Sequence, residues 1–209
     1  MSIGVRCLVA VLFLCALISE DLGAAEPKTI VILGDSLAAG YGVPGEVAFP
    51  ALLQQKIDAE KLNYRIVNAA VSGDTTASGV RRVNWILKRK ADVLLIELGG
   101  NDGLRGVPAT ETRKNLAGII DQARAKYPDL EIVLAGMQMP ANMGKEYTEK
   151  FRATFAELAK EKKVALIPFL LAGVGARPEM NLPDMIHPNP QGHKRVAENV
   201  WAVLEKMLR

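Results

Sequence analysis

"TIVILGDSLAAGYG", residues 29–42, sets an unbroken apolar run against a Gly34-Asp35-Ser36 turn, with further glycines at 40 and 42. A continuous apolar, β-branched run of this length reads as a strand buried on both faces. Gly, Asp and Ser directly after it are turn formers. The run decides the fold because it recurs, at "YRIVNAAV" (64–71), "DVLLIEL" (92–98), "EIVLAGM" (131–137) and "VALIPF" (164–169). Between the runs the apolar period lengthens to that of a helix: Ala77, Val80, Val83, Leu87; Leu116, Ile119, Ile120, Ala123; Tyr147, Phe151, Phe155, Leu158. A last helix carries Val196, Val200, Leu204 and Met207, opened by Asn189 as its cap and Pro190 at its first position. Strand and helix alternating in this way predict an open parallel sheet with helices on both faces.

The chain has 209 residues, 49% hydrophobic and 23% charged, enough for one sizeable core and too short for two full domains. Residues 1–25 are set apart. Arg6 precedes an apolar run from Cys7 to Ile18, and Gly23, Ala24 and Ala25 follow, the pattern of a secretory leader. The run falls short of the roughly 20 residues of a membrane span. The expected product is therefore an exported protein, periplasmic or secreted, with a single domain over residues 26–209 and no lasting membrane insertion. Both cysteines, Cys7 and Cys15, lie in the leader, so disulfides, thiolate catalysis and cysteine metal sites drop out of the remaining chain. Removing the leader takes the net charge from +3 to about +4. No basic block stands out, which argues against a nucleic-acid partner.

Ligands of open parallel sheets bind at the carboxyl ends of the strands. Four loops fall on that rim: "GDSLAAGYG", "SGDTTASG", "GGNDGLRG" and the loop ending "DMIHPN". Together they carry a serine, an aspartate, a histidine and amide donors, the groups that acyl transfer needs as nucleophile, orienting acid, base and oxyanion donors. Only His187 and His193 offer an imidazole. His187 follows Asp184 by three positions, and Pro188 keeps it out of helix; His193 falls on the opening turn of the last helix, where a surface or capping role is expected. Asn101, unlike Asp102, has side-chain donors, and Gly99 and Gly100 let the backbone turn sharply before it. With the backbone N–H groups of Ser36 and Gly73, Asn101 makes a candidate oxyanion hole. The competing reading leaves these glycines as turn residues.

These four blocks, "GDSL" with Ser36, "NAAVSGDTT" with Gly73, "LGGNDGLRG" with Asn101 and "DMIHPNPQGH" with Asp184 and His187, resemble those of the GDSL, or SGNH, hydrolases, in order and over residues 30–193. The similarity is greatest to the branch of acyl-CoA thioesterase I, lysophospholipase L1 and arylesterase. The resemblance implies a flavodoxin-like α/β/α sandwich with a five-stranded parallel sheet, Ser36 as nucleophile, His187 as base and Asp184 as its partner. Ser36, Gly73 and Asn101 would hold the oxyanion, with no metal or cofactor. The implied function is a serine esterase acting on carboxylic esters and thioesters; a carbohydrate acetyl esterase of the same fold is the alternative.

Two rivals have weaker support. An ordinary α/β-hydrolase would carry G-x-S-x-G, where this chain reads G-D-S-L-A. A flavodoxin-like binding module would use the glycines at 34, 40 and 42 to line a phosphate site, yet neither dinucleotide nor P-loop patterns are present. Met137, Met139, Met143, Met180 and Met185 cluster in two loops, either as an adaptable acyl-chain wall or as ordinary packing. Glu97, an acid inside an apolar strand, should find a buried partner, which the sequence does not identify.

Overall fold

Lys28–Gly34 forms strand β1, and every residue after Lys28 in it is buried, as a strand covered on both faces requires. The computed structural model describes residues 25–209; of the expected leader only Ala25 falls within them. β2 (Tyr64–Asn68), β3 (Val93–Glu97), β4 (Glu131–Ala135) and β5 (Ala165–Ile167) complete a five-stranded sheet in the order β2-β1-β3-β4-β5. All neighbours pair in parallel. This is the flavodoxin-like order, whose direction of winding reverses between β1 and β3.

All five residues of β3 are buried. The edge strands depart from the expected two-sided burial. β2 is half-exposed along its length and ends at Asn68, leaving Val67 and Val71 open to solvent. The apolar run marked the strand, but its edge position, which sequence periodicity does not encode, left one side uncovered. β5 is likewise cut to three residues.

Helices α1 (Ser36–Ala39), α2 (Phe49–Ala59), α3 (Thr76–Ile86), α4 (Gly100–Leu104), α5 (Ala109–Lys126), α6 (Lys145–Lys162) and α7 (Pro190–Leu208) connect the strands. α3 packs on α5 and α5 on α6, while α2 packs on α7, which gives the two outer layers. Phe151 and Phe155 anchor α6 with ring centroids 5.5 Å apart. α7 starts as expected: the Asn189 side chain accepts from the N–H of Gln191 and of Gly192, both at 3.0 Å. α2 was not anticipated, although Phe49, Leu53 and Ile57, all buried, mark one helical stripe at four-residue spacing. In α3 the buried positions are Thr76, Gly79 and Val83, so its inward stripe is rotated from the one expected through Ala77 and Val80.

Candidate active site

Ser36 opens the single turn of α1 directly after β1. The side chain of Asp35 caps that turn by accepting from Leu37 N–H at 3.0 Å, and Gly40 closes it in the left-handed region at φ 74°. Beneath the turn lies Glu97, at the end of β3 and fully buried. Its Oε2 accepts from the N–H of Asp35 at 3.1 Å and of Ala38 at 3.2 Å. The partner of Glu97 is therefore the backbone on either side of the serine. Gly34 is required here, since a Cβ would lie 2.6 Å from that Oε2.

The other half of the site arrives on the loop between β5 and α7. Asn181 and Pro188 close this loop with an antiparallel bridge, and Leu182 N–H donates to the His187 carbonyl at 2.7 Å. Within it Asp184 Oδ1 accepts from the N–H of Ile186 (2.9 Å) and of His187 (3.0 Å). Its Oδ2 meets His187 Nδ1 at 2.7 Å, and His187 Nε2 meets Ser36 Oγ at 2.9 Å. With Asp184 fixing an N–H on Nδ1, Nε2 is left to accept from the serine hydroxyl. The Asp184 carboxyl is held down at about 2: partial burial would raise it, but the His187 and Ile186 N–H groups and the imidazole outweigh that effect. The Tyr41 ring lies 4.5 Å from the His187 ring, tilted by 40°.

Asn101 sits in the first turn of α4, after Gly99 at φ 116°. Its Nδ2 donates to Asp35 Oδ2 (3.1 Å) and to the Asp74 carbonyl (3.0 Å). Gly73 precedes Asp74 at φ 84°, and its carbonyl accepts from Arg105 at 3.2 Å. Among the described residues neither Gly73 N–H nor Ser36 N–H has a hydrogen-bond acceptor, so both stand available to a ligand. Asp102, next to Asn101, turns away and binds the N–H and hydroxyl of Thr76, coupling α4 to α3.

A cavity of about 560 Å³ opens beside the serine. Ser36, Asn101 and His187 line it, with Leu104, Phe169, Leu171 and Ile186 supplying apolar wall. Of the five loop methionines, Met137, Met139 and Met185 reach it, and Met143 and Met180 do not. Gly73 and Asp184 lie outside its lining; they approach the site through Asp74 and His187 respectively. His193 is buried rather than at the surface. Its Nδ1 accepts from Phe49 N–H at 3.2 Å, so it caps α2, another helix than its own. Burial, and then the charge of His187, depress it to about 4.

Burial, and then the neighbouring Asp35 charge, hold the Glu97 carboxyl well above the usual range. The folded protein therefore retains a proton that the unfolded chain releases near pH 4.3. The resulting stabilisation is complete below that pH and is lost as pH rises towards the folded value. Glu97→Gln, neutral at every pH, is expected to flatten the fall in stability above about pH 5, as read by urea midpoints between pH 5 and 9. An unchanged slope would show that Glu97 titrates normally.

A parallel sheet of this order, with a hydroxyl, an imidazole and a carboxylate in hydrogen-bonded series at its switch point, defines the SGNH class of hydrolase fold. The GDSL-like Lipase/Acylhydrolase family model matches residues 32–195, and the chain belongs to that family. It is 40% identical to "Esterase TesA" of Pseudomonas aeruginosa, over 88% of this chain and 91% of that protein. To the "Thioesterase 1/protease 1/lysophospholipase L1" of Escherichia coli K12 it is 40% identical, over 84% of this chain and 82% of that protein. The solved structure of TesA superposes with a TM-score of 0.83 at 40% identity, covering 87% of this chain and all of that one.

Proposed function

We propose that this protein hydrolyses carboxylic esters and thioesters through an acyl-enzyme on Ser36. The observation that carries the reading is the relay Asp184 Oδ2, His187 Nδ1, His187 Nε2, Ser36 Oγ, with contacts of 2.7 and 2.9 Å, between residues 151 positions apart. The Ser36 oxygen attacks the acyl carbonyl while His187 Nε2 takes its proton, and Asp184 stabilises the imidazolium that forms. The carbonyl oxygen gains negative charge and is met by the N–H groups of Ser36 and Gly73 and by Asn101 Nδ2. The tetrahedral adduct collapses as His187 returns the proton to the departing alcohol or thiol. Water, deprotonated by the same nitrogen, then releases the acid and restores Ser36.

The apolar cavity beside Ser36, with its three methionines, favours a hydrocarbon acyl chain over an acetylated sugar, which would call for polar lining. Residues 1–25 are the proposed export leader, which places the working enzyme outside the cytoplasm and away from cytosolic acyl thioesters. Among the described residues no helix is long and apolar enough to cross a membrane.

The reading is tested with nitrophenyl esters of increasing acyl length. Burial contributes about 0.8 kcal/mol per methylene, so kcat/KM should climb by up to about fourfold per added carbon until the cavity is filled, then level off. A maximum at acetate with a steady decline would remove the acyl-chain role of the cavity. Absence of turnover on every ester and thioester would remove the function.

A further inference from the structure

Asn101 has two chemically different ends, and only its NH2 end is useful to an oxyanion. Both of its observed contacts are to oxygen acceptors, Asp35 Oδ2 at 3.1 Å and the Asp74 carbonyl at 3.0 Å. A main-chain carbonyl can only accept, and the Asp35 carboxyl, pushed up to about 6 by its burial, is an acceptor-only carboxylate above that pH, so the chemistry itself selects the orientation with Nδ2 towards both. We propose that Asp35 is a positioning residue of the oxyanion hole, whose carboxylate holds one Asn101 N–H and so keeps the NH2 end of that amide, rather than its carbonyl, towards the acyl site. The inference rests on the serine acyl-transfer reading and assigns a task to a side chain that reading leaves idle.

Several features equip Asp35 for this. It is 1% exposed, so water does not compete for its oxygens. Oδ1 is fixed by Leu37 N–H at 3.0 Å, which leaves Oδ2 aimed at Asn101. Its own backbone is fixed from below by Glu97, and Gly100 brings α4 so close that a Cβ there would lie 3.4 Å from Oδ2. One carboxylate thus ties the turn bearing Ser36 to the helix bearing Asn101. On the far side Asp74 is itself restrained, with its side chain paired to Arg82 and its N–H donated to the Val71 carbonyl at 3.0 Å. The Asn101 N–H towards Asp74 is the donor shared with the forming oxyanion, while the one towards Asp35 stays bound throughout.

Asp35→Asn preserves shape and the cap on Leu37 but presents an NH2 to Asn101, which must turn its carbonyl inward. Loss of one oxyanion donor costs about 10² to 10³ in kcat. Asp35→Asn is therefore expected to lower kcat about 100-fold with KM within about twofold, while the melting temperature holds or rises because a buried carboxylate is gone. Asp35→Ser, which still caps the turn but is too short to reach Asn101, should lower kcat similarly. The deciding measurement is a double-mutant cycle on nitrophenyl ester hydrolysis. In an Asn101→Ala background, Asp35→Asn should cost less than about threefold more. Equal losses in both backgrounds, a kcat near wild type in either single variant, or loss of kcat only in proportion to loss of folded protein would overturn the proposal. Wild-type turnover retained by Ser36→Ala would instead overturn the acyl-transfer reading beneath it.

Discussion

Ser36→Ala is expected to reduce ester turnover at least about 10⁴-fold while leaving the fold intact. Among the described residues the Ser36 hydroxyl is the one hydrogen-bonded to His187 Nε2, at 2.9 Å, and alanine leaves no atom to carry the acyl group. Residual catalysis would come from the oxyanion donors and from binding. The fold should tolerate the change because the backbone contacts that shape the turn, from Asp35 and Glu97, do not use the serine side chain. Burst kinetics supply the check: wild-type protein should release nitrophenol ahead of acid if deacylation is the slower step, and the variant should show no burst. A variant that hydrolyses esters at the wild-type rate would mean that another group does the chemistry.

Asp184→Asn should lower kcat by about 10⁴ with little change in KM. Asn keeps Oδ1 for the Ile186 and His187 N–H groups, so the loop should hold its shape. Its NH2, however, replaces the acceptor facing His187 Nδ1 and stabilises the tautomer with the proton on Nε2, which cannot take a proton from Ser36. A second consequence follows from the depressed Asp184 carboxyl, at about 2. A carboxyl with a lowered folded value stabilises the fold above its unfolded value near 3.9 and loses that effect as pH falls towards 2. Acid unfolding of the asparagine variant should therefore be less steep in that window. If kcat drops only a fewfold, His187 has another orienting partner.

Much of this site was legible before any coordinates. The strand runs ended within a few residues of their structural limits, and the structure brings Ser36, His187 and Asp184, from two of the four rim loops, into one hydrogen-bonded series. The reason is physical: buried strands write their period into the sequence, and turn residues announce where they stop. The exposed side of β2 was not legible, because edge position depends on which strands pair. Of the two roles expected for His193, surface or capping, the structure has capping, but of another helix and from a buried position, since its partner is the Phe49 N–H, 144 residues away. Asp35 looked like a turn former and nothing more. Its bond to Asn101 spans 66 positions, and only the closing of β1 against β3 brings the two together. Glu97 signalled its own importance by being an acid in an apolar strand, but not what it holds.

Ser36 leaves the first strand, whereas His187 is held between the last strand and the last helix. Proteins are synthesised from the amino end, and early segments can order before later ones exist. A nascent chain of this protein can complete the Ser36 turn around Glu97 once β3 has formed, yet it holds no base until the loop closed by Asn181 and Pro188 has docked. Under the proposed mechanism, the onset of hydrolytic power is thus timed by the docking of the carboxyl-terminal segment, and an unfinished molecule is chemically silent towards the esters it meets.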